Sequence, residues 1–490
     1  MRMRWLTGLA VLMVAAAAPR AQAQDDVRRL ADALRGATPM IGDLRVLTDS
    51  IGGRATLSAN NLAAIAWGVR RFQEAGLTAQ AESFVLPVGW LERSASASVS
   101  GGASFVARIA AMPHSVGTPP AGLAAPLVDG GKGADADFAR LGAGARGAWV
   151  LVERELLRDI DGLFAEYAAS AETERRAWVA GAAGVVYQSS RADGVLYRHN
   201  VALGWDDTKP AVVMERAAAG RALRLLRAGV PLRLTARVAV DRRVQPTSSN
   251  VVAEIRGATK PDEIVVVGAH LDSWDLGTGA LDNGANCAML IDVARQMVRL
   301  GLRPARTVRF VLWNGEEQGM LGSWGYTVRH AAELDRTVLS AAFDVGTGAI
   351  NGFFTGGRQD MVDAVGRALE PLHDPGPFTQ LNVPIVGTDN YDFMMLGVPN
   401  LVANQESANY GPNYHAANDT FDKADTVAMR RNAAIAGAVV WYWANAAALP
   451  GRHTRAQVDE LVRTTDLRAQ MHIMGGMLED FDAGRRPRRE

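Results

Sequence analysis

Between residues 251 and 450, apolar runs of strand length alternate with segments of helical spacing, and this alternation constrains the fold more than any other feature of the chain. "IVVVGAH" (264–270), "TVRFVLW" (307–313) and "LSAAFDV" (339–345) read as strands. "NGANCAMLIDVARQMVRLG" (283–301) and "QDMVDAVGRALEPL" (359–372) read as helices, the first stopped by glycine. Strands alternating with helices argue for an α/β sheet of largely parallel order. Ligands of such sheets gather beyond the carboxyl ends of the strands.

The polar residues fall in that kind of place. His270 follows one strand, Glu316 and Glu317 follow another, and Asp344 ends a third. Each has an ordinary explanation when taken alone: a satisfied core histidine, a solvated Glu-Glu turn, a helix cap. "NYHAANDTFDK" (413–423) by itself is an Asn-rich surface loop. Adjacent carboxylates after a strand are costly unless paired. "GAHLDSWDLGTGALDNG" (268–284) adds three aspartates on one turn, and Gly277, Gly279 and Gly284 let the backbone fold tightly there. Imidazole and carboxylate groups without cysteine suit zinc or a similar divalent ion. Two such ions ~3.5–4 Å apart need a bridging carboxylate and would relieve the repulsion.

The rest of the chain sets the frame. With 490 residues it is too long for one ordinary core, so two domains plus extensions are expected. Formal net charge is +0, which provides no broad field toward nucleic acid or anionic lipid. Arg2 and Arg4, the apolar run Leu6–Ala18 and "AQA" at 21–23 read as an export signal cleaved before Gln24. That run is shorter than the roughly 18 apolar residues a membrane span requires. The expectation is a soluble exported protein, periplasmic or secreted, without a stable membrane anchor. Cys287 is the sole cysteine, so no intramolecular disulfide can form.

Residues 25–80 read as helical, with Leu62, Ile65, Ala66, Val69 and Phe72 on one face of 60–77. The Ser/Gly/Pro-rich stretch 95–123 reads as a boundary. Between 124 and 241, four short apolar runs and a helix capped by Ser170 suggest a small α+β module without catalytic residues. The basic tail "RRPRRE" (485–490) reads as a solvated end.

Taken together, "HLDSWDLGTGALDNGAN", "VLWNGEEQGMLGS", "FDVGTG" and "YHAANDT" resemble the co-catalytic zinc peptidases, the family of bacterial leucyl aminopeptidases, aminopeptidase Y, glutamate carboxypeptidase and the transferrin receptor. The branch most similar is that of plasma glutamate carboxypeptidase, or carboxypeptidase Q. The resemblance implies a mixed, mostly parallel sheet flanked by helices, the zinc exopeptidase fold, with an inserted protease-associated α+β domain. It implies two zinc ions. His270 and Asp344 would bind one, Glu317 and His415 the other, and Asp282 would bridge them. Glu316 would be the general base, Asp272 would orient His270, and Tyr414 would touch substrate. Asp275 is read as a turn residue; Asp419 and Thr420 as structural. Asn283 stands where many relatives have aspartate, and "GGRATLSANN" (52–61) departs from the branch's opening motif, which leaves the substrate-facing edge open.

The implied division is a signal peptide at 1–23, catalytic segments at 24–110 and 246–450, the inserted domain at 111–245 and an extension at 451–490. The implied activity is exopeptidase cleavage of short peptides or dipeptides by an activated water, with no nucleic-acid partner and a homodimer left open. Aminopeptidase, carboxypeptidase and dipeptidase action remain alternatives. A receptor-like binding protein and a glutaminyl cyclase-like transferase share the scaffold, and bound zinc would separate them at two, none or one.

Overall fold

The computed structural model describes residues 24–199, 209–372, 376–474 and 476–486. The expected signal peptide and the last four residues of the basic tail lie outside them.

Seven strands form the first sheet. Lys260–His270 is at its centre, with Arg306–Trp313 and Thr337–Ala342 parallel on either side and Asn400–Gln405 parallel beyond. Antiparallel strands close the edges: Thr247–Ile255 and Thr78–Val85 on one, Ile350–Phe354 on the other. The parallel centre is covered on both faces, so its strands are apolar throughout, and every residue of Arg306–Trp313 is buried. Val265, Val267, Phe310 and Leu312 face helices Ala59–Glu74, Ala285–Arg299 and Thr426–Asn445. The alternate residues Val266, Val311 and Trp313 pack with Tyr326 and Phe393 on the opposite face.

Helix Ala59–Glu74 starts where Ser58 accepts from the Asn61 amide and stops before Gly76, whose φ is 90°. Its buried stripe is not quite the expected one. Ile65 and Phe72 are inside, but Leu62 and Ala66 face solvent, because Trp67 and Gly68 turn toward the sheet instead. A Cβ on Gly68 would come within 2.9 Å of Leu312.

The second sheet has eight strands. It begins earlier than expected: Val88–Gly101 pairs along the whole of Leu232–Val244, from Val88↔Val244 to Gly101↔Leu232. The second sheet therefore begins at Val88, ahead of the boundary expected at 110/111. The first part of the 95–123 stretch read as a boundary is the end of this strand, its period of two hidden by small residues, and Phe105–Ala107 and Ile109–Ala111 are two further strands. Ala97 and Val99 face the module core while Ser96, Ser98 and Ser100 face outward. The four apolar runs are strands Leu123–Asp129, Trp149–Val152, Gly184–Gln188 and Ala211–Met214. The helix expected to start at Ser170 runs from Ile160 to Val179, capped by Asp159 accepting from the Gly162 amide. Ser170 lies inside it and its hydroxyl returns to the Glu166 carbonyl.

After residue 450, helices Arg455–Thr464, Leu467–Ile473 and Met477–Asp482 pack Val458, Leu467, Met471 and Phe481 against Tyr391 and Met394. The tail is not wholly solvated. Arg486 is buried, holds both oxygens of the buried Asp392 at 3.2 Å and also donates to the Gly319 carbonyl.

Candidate active site

Strand geometry delivers His270 to the carboxyl end of the central strand, and its ring is buried. Its Nδ1 lies 3.0 Å from the carbonyl oxygen of Asp272. A carbonyl only accepts, so Nδ1 carries the hydrogen and Nε2 points the other way. Nε2 meets Asp344 Oδ1 at 2.8 Å and Asp282 Oδ1 at 3.1 Å. His415 repeats the arrangement. Its Nδ1 donates to the Arg198 carbonyl at 3.1 Å, and its Nε2 faces Glu317 Oε2 at 2.8 Å and Asp282 Oδ2 at 3.2 Å.

Asp282 thus presents one oxygen to each imidazole. A neutral Nε2 carries a lone pair, and a lone pair facing two carboxylates repels them unless positive charge lies between. The alternative to a metal is two imidazolium rings. Burial opposes that charge, yet the surrounding carboxylates outweigh it: they hold His270 well above the usual imidazole range and raise His415 to about 9. Both oxygens of Glu317 and Oδ2 of Asp282 are buried without an aligned hydrogen-bond donor. Burial and the charge of Asp282 push Glu317 up to about 7. Two buried triads, His270–Glu316–Asp344 and His270–Asp282–Glu317, each bring donor atoms within 4.8 Å of one another. This chemistry fits a divalent cation: hard oxygens and imidazole nitrogens, converging, undersupplied with donors.

Glu316 lies beside Glu317 at the mouth. Burial, then Asp344, Asp389 and Glu317, drive its carboxyl well above the usual range despite His270. Asp272 acts differently from its expected role. Its carbonyl, not its carboxylate, holds the His270 ring, the carboxylate being 3.8 Å away. The carboxylate instead accepts from the Thr56 hydroxyl at 2.6 Å and from the Glu316 amide at 3.3 Å, which fixes the loop that carries the base candidate.

The 52–61 stretch, left open as a substrate edge, is a brace. The buried Arg54 donates to the carbonyls of Leu271, Thr278 and Gly279 at 2.7, 2.6 and 2.8 Å, gripping the turn between His270 and Asp282 from behind. Gly53 is required there, since a Cβ would fall 2.7 Å from the Gly277 carbonyl. Asp419 holds the same turn from the other side. Its oxygens accept from the Leu281 and Asp282 amides at 2.7 and 3.1 Å. Asn283 also has a structural reason: its side-chain amide donates to the Phe343 carbonyl at 2.8 Å, which a carboxylate could not do. Asp275 is more than a turn residue, because it pairs with the buried Arg198 at 2.7 Å.

Tyr414 stacks on His415 with ring centroids 3.6 Å apart, and its hydroxyl lies 2.9 Å from that of Tyr167 of the inserted module. Both line a cavity of about 490 Å³ that opens onto His270, Glu316, Asp344 and His415. Sequence reasoning missed Tyr167, Tyr410 and Asp389. Tyr410 sits four residues before Tyr414 on the cavity wall. Asp389, in "GTDNYDF", is buried, and burial pushes its carboxyl well above the usual range. A lone aspartate in an unpatterned loop carries no signal of this.

Residues 250–440, which contain all five ligand candidates and Glu316, match the sequence profile of peptidase family M28. Carboxypeptidase Q of Rattus norvegicus is 37% identical over 196 residues, 40% of this chain and 41% of that protein. The chain therefore spans well under half the length of the carboxypeptidase Q relatives it matches. Probable lipoprotein aminopeptidase LpqL of Mycobacterium tuberculosis is 27% identical over 428 residues, 78% of this chain and 79% of that protein. The crystal structure of a peptidase M28 precursor from Shewanella amazonensis shares the fold with a TM-score of 0.77 at 28% identity, covering 88% of this chain and 99% of that one. BSAP, a zinc aminopeptidase from Bacillus subtilis, shares the fold with a TM-score of 0.66 at 21% identity over 82% of this chain and 93% of its own. Residues 250–440 therefore match peptidase family M28, and the fold is shared with M28 structures well beyond them.

Proposed function

We propose that the chain is an exported zinc-dependent aminopeptidase that removes apolar residues from the amino ends of short peptides. The observation that carries this is the charge of the cavity. Its carboxylate and imidazole lining is His270, Asp282, Glu316, Asp344, His415 and Asp466, and among the described residues no lysine or arginine lines it. A carboxypeptidase must hold a free carboxylate, which calls for a cation. An aminopeptidase must hold an ammonium, which the Asp466 carboxylate, outside the proposed metal ligands, can attract. The opposite wall, with Val345, Phe354, Ile385, Val402 and Met474, offers an apolar side chain a matching surface.

His270 and Asp344 would hold one zinc, Glu317 and His415 the other, with Asp282 shared. The pair would supply Lewis acidity, polarising the scissile carbonyl and easing deprotonation of the attacking water. Glu316 would take that proton on its carboxylate and later pass it to the leaving amine. The Tyr414 hydroxyl, in contact with that of Tyr167, would donate to the developing oxyanion. Asp272 and Arg54 hold still the loops that carry these groups.

The reading is checked by hydrolysis of Leu-Gly-Gly, its N-acetyl derivative and its C-terminal amide, alongside zinc analysis of the purified protein. Cleavage of the free-amine peptide and its amide, with the N-acetyl form refused and two zinc ions per chain, is expected. Cleavage of the N-acetyl peptide with refusal of the amide would replace it with carboxypeptidase action. A chain that binds no zinc and cleaves none of them would be a receptor-like protein.

A further inference from the structure

His415 is held from outside the family M28 segment. Arg198 of the inserted module donates its amide to the His415 carbonyl at 2.9 Å, and Ala417 donates to the Leu196 carbonyl at 2.9 Å. Between them Tyr197 and Ala416 form an isolated antiparallel bridge. Arg191 adds a hydrogen bond from its guanidinium to the Tyr414 carbonyl at 3.0 Å. These contacts grip a backbone that needs gripping, since His415 has a φ of 54°, in the left-handed region a non-glycine residue seldom occupies. The ring is fixed as well, through Nδ1 and the Arg198 carbonyl.

Arg198 is itself immobilised. Its guanidinium is buried and donates to Asp275 at 2.7 Å, Glu92 at 3.0 Å and the Ala111 carbonyl at 2.7 Å. Asp275 lies on the turn between His270 and Asp282, and Glu92 on the strand that enters the module. One residue therefore joins the ligand turn, the module's entry strand and the loop of His415. The His270 ring has no such dependence, because its Nδ1 is held by Asp272, two residues along the same segment.

We propose that Arg198 is a positioning residue for one half of the metal site. It sets the tautomer and direction of His415, so that the zinc held by His415 and Glu317 depends on the inserted module while the zinc held by His270 and Asp344 does not. The inference rests on the two-metal reading of the site. Outer partners of metal-bound histidines fix tautomer and ring direction, and losing one typically costs about 10–100-fold in metal affinity.

The test uses the full chain as wild type, Arg198→Met and Asp275→Asn. Each is stripped of metal and titrated with zinc against a competing chelator, then with cobalt followed by its visible spectrum, and each is melted. The expected result is two ions in the wild type, a loss of up to about 10-fold in affinity at one of them in Arg198→Met, which keeps the carbonyl to His415 but loses the side-chain anchors that hold it in place, and a smaller loss at the same one in Asp275→Asn. The cobalt band of only one site should change. If Arg198→Met melts earlier but binds both ions as tightly as wild type, Arg198 is a fold staple and the proposal fails. Equal weakening of both ions also overturns it. If Arg198→Met does not fold, Asp275→Asn decides by the same criteria. A wild type that binds fewer than two ions refutes the two-metal reading itself, and that outcome is visible without any variant.

Discussion

The residues of the site divide into those that face the cavity and those that hold them, and the two groups were not equally legible. His270, Asp282, Glu316, Glu317, Asp344 and His415 sit in short motifs, most of them at strand ends, and the structure brings all six to one place. Arg54, Thr56 and Arg198 were not legible, because they work through carbonyls and a hydroxyl, and any backbone offers carbonyls. The contrast gives two expectations. Glu316→Gln should keep both metals and the melting temperature while turnover falls about 10²–10⁴-fold, since a base is removed and no ligand is lost. Zinc analysis and steady-state rates decide it, and loss of one zinc in that variant would make Glu316 a ligand. Thr56→Val should cost about 1–3 kcal/mol of stability, because the buried Asp272 carboxylate loses its 2.6 Å donor. Denaturant unfolding measures this, and an unchanged midpoint would mean that water or a neighbour replaces the hydroxyl.

At the scale of elements, two helices from different parts of the chain meet beside the cavity. Leu163, Phe164 and Tyr167 come from Ile160–Val179 of the module, and Gln470 and Ile473 from Leu467–Ile473 of the extension. Neither helix carries a ligand candidate, and neither could be assigned a place from its sequence. The extension's apolar spacing shows a buried face but not what buries it. Its removal would expose Tyr391, Met394 and their neighbours, so point changes test it better than truncation. Met474→Ala should enlarge the apolar wall and shift preference from N-terminal leucine toward phenylalanine, read as the ratio of kcat/KM for the two peptides; an unchanged ratio would remove Met474 from the substrate's path. Arg486→Ala should destabilise the chain by about 3–5 kcal/mol, since the buried Asp392 would lose its partner. A tail that is merely solvated would give a melt like that of wild type.

For the whole molecule, alternation of strand and helix was enough to foresee a largely parallel sheet, three of whose four parallel central strands are written as the apolar runs at 264–270, 307–313 and 339–345. It was not enough for the edges. Thr78–Val85 begins at the end of the stretch 25–80 read as helical, and Val88–Gly101 was masked by alanine and serine, whose small side chains blunt the contrast between inside and outside. Metal should bind the folded site and not the unfolded chain, so it should stabilise the whole: about 4 kcal/mol per ion at a thousandfold excess over Kd. Chelation should therefore lower the melting temperature and abolish hydrolysis together, and zinc should restore both. A melt indifferent to chelation would show a site rigid without its ions.

The pairing of Val88 with Val244 means that the module leaves and rejoins the catalytic sheet at one spot. A body hung on two adjacent strands is covalently tied along one edge only. The stitch at residues 196–198 and 415–417 is a second tie, made by hydrogen bonds alone. It fastens the module to the loop of His415 itself, so whatever loosens the module at that point loosens a ligand candidate with it.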